Sequence, residues 1–320
     1  MTRDVRGGLK RDLTVTTIVT GAHTTNHFLQ LVLPPLFPLL KITYDVSYTD
    51  LGLLMALFYV ASGLCQTPAG FLVDRFGARR VLVGGLATLS CAIVLIGLAP
   101  TFTLMCPLMV IAGVGNSVFH PADYSIMTAS VSKRYLARAY GVHTFGGNLG
   151  WALAPMITLG LSALVGWHTA LVLAGLFGLL IATFFFISPG VFLEEAELFR
   201  RGGGRGHMRN GNIFLLFSTP ILLCFVYFVL LSVALVGIQT FLPATLHALR
   251  GTSLTAAGAA LTAYLAGSAS GILAGGFAAD RTRALERLVA LGLASATALV
   301  LAVGCIPFSD FWLTAALAGA

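Results

Sequence analysis

Long apolar runs separated by short basic and polar loops set the pattern of this chain. The runs fall at about 12–40, 50–73, 81–99, 103–125, 139–162, 168–189, 213–242, 254–279 and 287–306. Each is close to the ~20 residues an α-helix needs to cross hydrocarbon, so the pattern predicts nine crossings. A tenth run starts near Asp310 and has about half that length at Ala320. The first run follows a basic segment (Arg3, Arg6, Lys10, Arg11) with no small-residue cleavage site, and reads as a helix that stays with the protein rather than a signal peptide. One polar stretch is long: 190–212, with Glu194, Glu195, Glu197, four arginines and the glycines Gly202–Gly204. It predicts six helices in residues 1–189, a linker at 190–212 and a second, partial bundle in 213–320.

The basic residues fix an orientation. Four precede the first run, and further groups lie at Arg75, Arg79 and Arg80, at Lys133, Arg134 and Arg138, at Arg200, Arg201, Arg205 and Arg209, and at Arg281, Arg283 and Arg287. In the predicted topology all of these share one side, and only Lys41 and Arg250 lie opposite. The positive-inside rule therefore places the N-terminus in the cytoplasm.

Composition supports the same class. The chain is 57% hydrophobic and 10% charged, against about 25% charged for a soluble domain. Its net charge of +7 sits in short loops, which excludes a nucleic-acid partner and leaves the lipid bilayer as the surroundings. The five cysteines lie inside apolar runs without CxxC spacing, so they read as small buried hydrophobes, not as a disulfide framework or zinc site. Trp151, Trp167 and Trp312 stand near run ends or in packed positions and read as interface anchors.

Polar residues inside the runs are few and patterned. His23, Asn26, His27 and Gln30 recur at i, i+3, i+4 and i+7 and form one stripe on the first helix. Asn116, His120 and Asp123 repeat that spacing across Pro121, which removes a ladder hydrogen bond, and His143 lies one turn from Gly147. Such side chains face a polar cavity or hydrogen-bond a neighbouring helix, because lipid offers them no partner. Imidazole titrates nearest physiological pH, so His27, aided by His23 and Asp123, is the expected proton-responsive element. Gly146, Gly150 and Ala154 have the spacing of a small-residue packing face. Pro34, Pro35 and Pro38 are expected to end or kink the first helix. No lysine or arginine lies within a predicted span, so the pattern favours a neutral, amphipathic or cationic solute over a multiply anionic one.

Between the second and third runs stands GFLVDRFGARR, a tight charged hinge with no catalytic chemistry. Asp74 can face the next helix's N-terminus or pair with Arg75, Arg79 or Arg80. Gly70, Asp74, Arg75, Gly77, Arg79 and Arg80 fill every fixed position of G-x-x-x-D-R-x-G-x-R-R, and the chain thereby resembles the major facilitator superfamily of secondary transporters. Gly276, Asp280 and Arg281 restate G-x-x-x-D-R 206 residues later. GVGNSVFHPADYS in the fourth run and GGNLGWALAP in the fifth resemble the fosmidomycin-resistance branch. Gly141, Gly150 and Pro155 match part of an antiporter motif, with Ala154 in place of its last glycine.

The resemblance implies an all-α membrane protein of the major facilitator fold, two six-helix bundles of which this sequence holds about nine complete helices plus part of a tenth. It implies a transporter and not an enzyme, without a cofactor, with a small-molecule substrate and protons as partners. The hinge residues, with Asp280 and Arg281, would latch one state of an alternating-access cycle. Efflux of an organic molecule by proton exchange is the leading expectation. Transport of iron or another divalent ion through His23 and His27, as in magnetosome-type membranes, is one alternative. A non-transporting membrane scaffold or subunit is another.

Overall fold

A computed structural model describes residues 2–187, 218–279 and 281–305, and it places helix on every one of the nine apolar runs. In chain order these are α1 (Thr2–Gln30), a 3-10 turn (Pro34–Leu36), α2 (Phe37–Tyr44), α3 (Tyr48–Phe76), α4 (Ala78–Gly97), α5 (Phe102–Ser117), α6 (Phe119–Ser130), α7 (Leu136–Val165), α8 (Trp167–Ile187), α9 (Thr219–Arg250), α10 (Leu254–Ala279) and α11 (Leu285–Cys305). The linker expected at 190–212, the partial tenth run and Asp280 lie outside the described residues.

Local chemistry explains the boundaries. Pro34, Pro35 and Pro38 cannot donate to an α-helical ladder, and the backbone answers with the 3-10 turn between α1 and α2. Ser47 and Asp50 cap α3 reciprocally: the Asp50 backbone N–H donates to Ser47 Oγ at 3.1 Å and the Ser47 N–H donates to Asp50 Oδ2 at 2.9 Å. Gly77 alone joins α3 to α4, at φ +88°, a conformation that a side chain resists. The fourth run is one span, Phe102–Ser130, broken at Val118. Pro121 in the first turn of α6 has no N–H for the Ser117 carbonyl, and this break re-aims everything beyond it.

Among the described residues, seven helices are long and apolar enough to cross a membrane. α1 falls short on hydropathy because it carries the polar stripe. Yet the last part of α1 is enclosed, with every residue from Ala22 to Gln30 buried except half-buried Thr24. Its polarity therefore faces protein, where lipid cannot leave it unsatisfied.

Small residues set the helix spacing. Gly146, Gly147 and Gly150 of α7 press on α1, where a Cβ built at Gly150 would overlap the Thr24 carbonyl oxygen and lie 3.0 Å from the Phe28 backbone nitrogen. α9 packs on the 3-10 turn and α2, and α10 packs along α7. Phe241 meets Phe37 edge-on at 6.1 Å between centroids, and Thr262 Oγ1 donates to the Ala152 carbonyl at 2.9 Å. The described side chains of α11 are almost all exposed.

At the hinge, Arg79 donates from Nη2 to the Phe185 and Phe186 carbonyls at 3.0 and 2.7 Å. It thereby ties the start of α4 to the last described turn of α8. Asp74 stands exposed in the last turn of α3, and no ion pair of Asp74 occurs among the described residues. In the second copy of the hinge, Gly276 lies within α10 and Arg281 follows it, exposed.

Candidate functional site

The polar stripe of α1 meets α6 and α7 at one buried point. Asp123 on α6 is fully buried, with Oδ2 at 3.0 Å from His23 Nδ1 and 3.5 Å from His143 Nε2. The two imidazoles stack on each other, centroids 3.9 Å apart and planes 28° from parallel. His27 lies against His23 at 4.2 Å, and its other face stacks on the Trp151 indole at 4.1 Å and 16°. Trp151 Nε1 donates to Gln30 Oε1, which ties the last residue of α1 to α7.

Three local features build this point. The stripe spacing turns His23 and His27 to the same side of α1. Gly147 sits opposite both rings: a Cβ there would lie 2.8 Å from His23 Nε2 and 2.8 Å from His27 Nδ1. On α6, the break at Val118 lets Asp123 point inward while His120, three residues earlier, is exposed with its ring 5.7 Å from His23 and 5.8 Å from Tyr124.

The cluster holds more hydrogen-bonding capacity than it uses. Both Asp123 oxygens, His23 Nδ1, both ring nitrogens of His143, His27 Nδ1 and Asn26 Oδ1 are buried without a hydrogen-bond partner. The contacts of Asp123 with the two rings have ion-pair distance but lack hydrogen-bond alignment. An ionised carboxylate held in that state would cost several kcal/mol.

Of the eight residues expected along the pathway, His23, His27, Asp123 and His143 are brought together, with Asn26 and Gln30 buried on the same helix. His120 borders the group from the open side. Asn116 is directed elsewhere: its Nδ2 donates to Ser62 Oγ of α3 at 2.7 Å. The expected common face of Asn116, His120 and Asp123 assumed a continuous helix, and the Val118 break separates them. Trp151, expected as an interface anchor, is instead the wall behind His27; its spacing of four from Gly147 and eight from His143 was the available signal. Asp12 was also overlooked. Nearly buried, it accepts from Ser132 Oγ at 2.6 Å and binds α1 to the loop before α7.

The profile of the Major Facilitator Superfamily matches residues 19–320. The chain belongs to that superfamily. It is a multi-pass membrane protein of a family whose members are transporters and not enzymes. Curated relatives include the MFS-type transporter YfnC of Bacillus subtilis, 32% identical over 143 residues (44% of this chain, 34% of that protein). Another is the fosmidomycin resistance protein of Escherichia coli, 26% identical over 139 residues (43% of this chain, 34% of that protein). The matches thus span about a third of these relatives' length. A solved bacterial homologue of the human lysosomal transporter Spinster, inward-facing and occupied, aligns with TM-score 0.73 at 22% identity over 96% of this chain and 71% of its own. That likeness shows the fold.

Proposed function

We propose that this superfamily member exports a small neutral, amphipathic or cationic organic solute by alternating access, in exchange for protons, across a bacterial inner membrane. The buried contact of Asp123 with His23 and His143 carries the reading: a carboxylate without hydrogen bonds between two imidazoles is costly as plain packing and useful as a cation-loading point. The partial antiporter motif at Gly141, Gly150 and Pro155, and the resistance role named for the Escherichia coli relative, support exchange and efflux. No lysine or arginine lies inside an apolar run beyond Arg287 at the first position of its run, which supports a solute without multiple negative charge.

In this reading residues 1–189 form one bundle, 213–320 belong to the second, and the 190–212 linker and the hinge are cytoplasmic. The hinge latches one state of the cycle, with Arg79 holding the end of α8 and Asp74 engaging only in that state. Flux in proteoliposomes tests the proposal, with ethidium as an amphipathic cationic probe. An imposed pH gradient should drive ethidium against the proton flow, and equal rates with and without the gradient defeat proton exchange.

A further inference from the structure

We propose that His23, Asp123 and His143 form an exchangeable three-ligand site for a divalent transition cation. The inference rests on reading this cluster as the loading point of the transporter, and it names a second occupant for it. One donor atom from each residue lies within 4.8 Å of the other two, and all three residues are buried. Ligands about 2.0–2.2 Å from a common tetrahedral ion stand roughly 3.4 Å apart, and the observed Asp123 contacts of 3.0 and 3.5 Å bracket that spacing. The two ring donors, within 4.8 Å of each other, have to turn toward a common point to complete the set.

The unspent hydrogen-bonding capacity points to a ligand. His23 Nδ1, His143 Nε2 and both Asp123 oxygens are buried and have no hydrogen-bond partner, and these are the atoms a cation would use. Two imidazoles and one carboxylate form a borderline donor set that suits ions of the zinc, iron(II) and cobalt(II) class and suits magnesium or calcium poorly. One negative charge and three ligands leave the fourth position open. A structural zinc site closes that position, so an open one fits an ion that enters and leaves. The ligands come from three helices, α1, α6 and α7, of which α7 also packs on α10.

Purified protein in mild detergent tests this with cobalt(II) and zinc alone. Cobalt(II) should give saturable visible d–d bands of one four-coordinate ion per chain, which zinc displaces. His143→Gln and Asp123→Asn should each weaken affinity at least tenfold, while His168→Gln, outside the cluster, should bind as the wild type does. Monodispersity on size exclusion shows which variants have folded. If Asp123→Asn fails there, His143→Gln decides alone. Absence of saturable binding to the wild type, or wild-type affinity in folded His143→Gln, overturns the site. Proton-driven ethidium flux without metal binding keeps the transport reading and removes this one; metal binding without flux does the reverse.

Discussion

Adding one methyl group at Gly150 should separate α1 from α7, and adding one at Gly147 should disturb the polar cluster without doing so. At Gly150 the new Cβ overlaps the Thr24 carbonyl oxygen and stands 3.0 Å from the Phe28 nitrogen and 3.1 Å from His27 Cβ. All are short of the roughly 3.5–4.0 Å of an unstrained contact, and two of the three atoms are backbone. The helices must part, at a cost of about 1–3 kcal/mol for overpacking. At Gly147 the close atoms are His23 Nε2, His27 Nδ1 and His23 Cδ2, at 2.8, 2.8 and 2.9 Å. These rings can rotate, so Gly147→Ala should cost less than about 1 kcal/mol of stability but move both imidazoles from Asp123. Gly141→Ala meets nothing within 4 Å and supplies the control, which is neutral or stabilised by about 0.5–1 kcal/mol through helix propensity. Unfolding in detergent by graded denaturant, beside ethidium flux, reads both quantities. The predicted order of stability is Gly141→Ala, Gly147→Ala, Gly150→Ala, with flux lost in the last two. Equal stability at Gly141 and Gly150, or full flux in Gly147→Ala, refutes the close packing of α1, α7 and the cluster.

Other substitutions probe separate parts. His27→Gln keeps hydrogen bonding but removes titration, so it should abolish accumulation against a gradient while sparing passive exchange; loss of both assays together in a folded protein speaks for a packing role. Asp74→Asn should slow cycling by removing a charge-assisted contact of about 1.5–3 kcal/mol at most, with ethidium affinity unchanged, and wild-type turnover ends the latch reading. A cysteine placed at Gly203 should react only with a reagent admitted to the cytoplasmic side. Labelling of intact cells by an impermeant maleimide reverses the orientation.

The fold was largely legible because membrane physics writes it in one dimension: a helix must satisfy its own backbone and must be long enough, so apolar runs mark its position. Half of the site was legible for a related reason, since His23 and His27 on one face of α1 cannot be tolerated toward lipid. The remainder depends on contacts between residues far apart in sequence. Asp123 reaches His23 across 100 positions, and only the break at Val118 decides that Asp123 points inward and Asn116 toward Ser62. Arg79 has an acidic neighbour five residues away, yet it donates to a carbonyl of α8 106 residues downstream, a contact that no local spacing shows. Trp151 reads as an anchor until its stack on His27 is seen. Spacing shows which residues share a face, and packing alone shows what the face meets.

The central claim is that Asp123, between His23 and His143, couples the movement of a solute to the movement of cations. The direct measurement records lumenal pH and ethidium together in proteoliposomes of the wild type and of Asp123→Asn. The wild type should move protons and ethidium in opposite directions, with each flux requiring the other, while Asp123→Asn should bind ethidium with wild-type affinity and move neither against a gradient. Coupled counterflow that persists in folded Asp123→Asn contradicts the account.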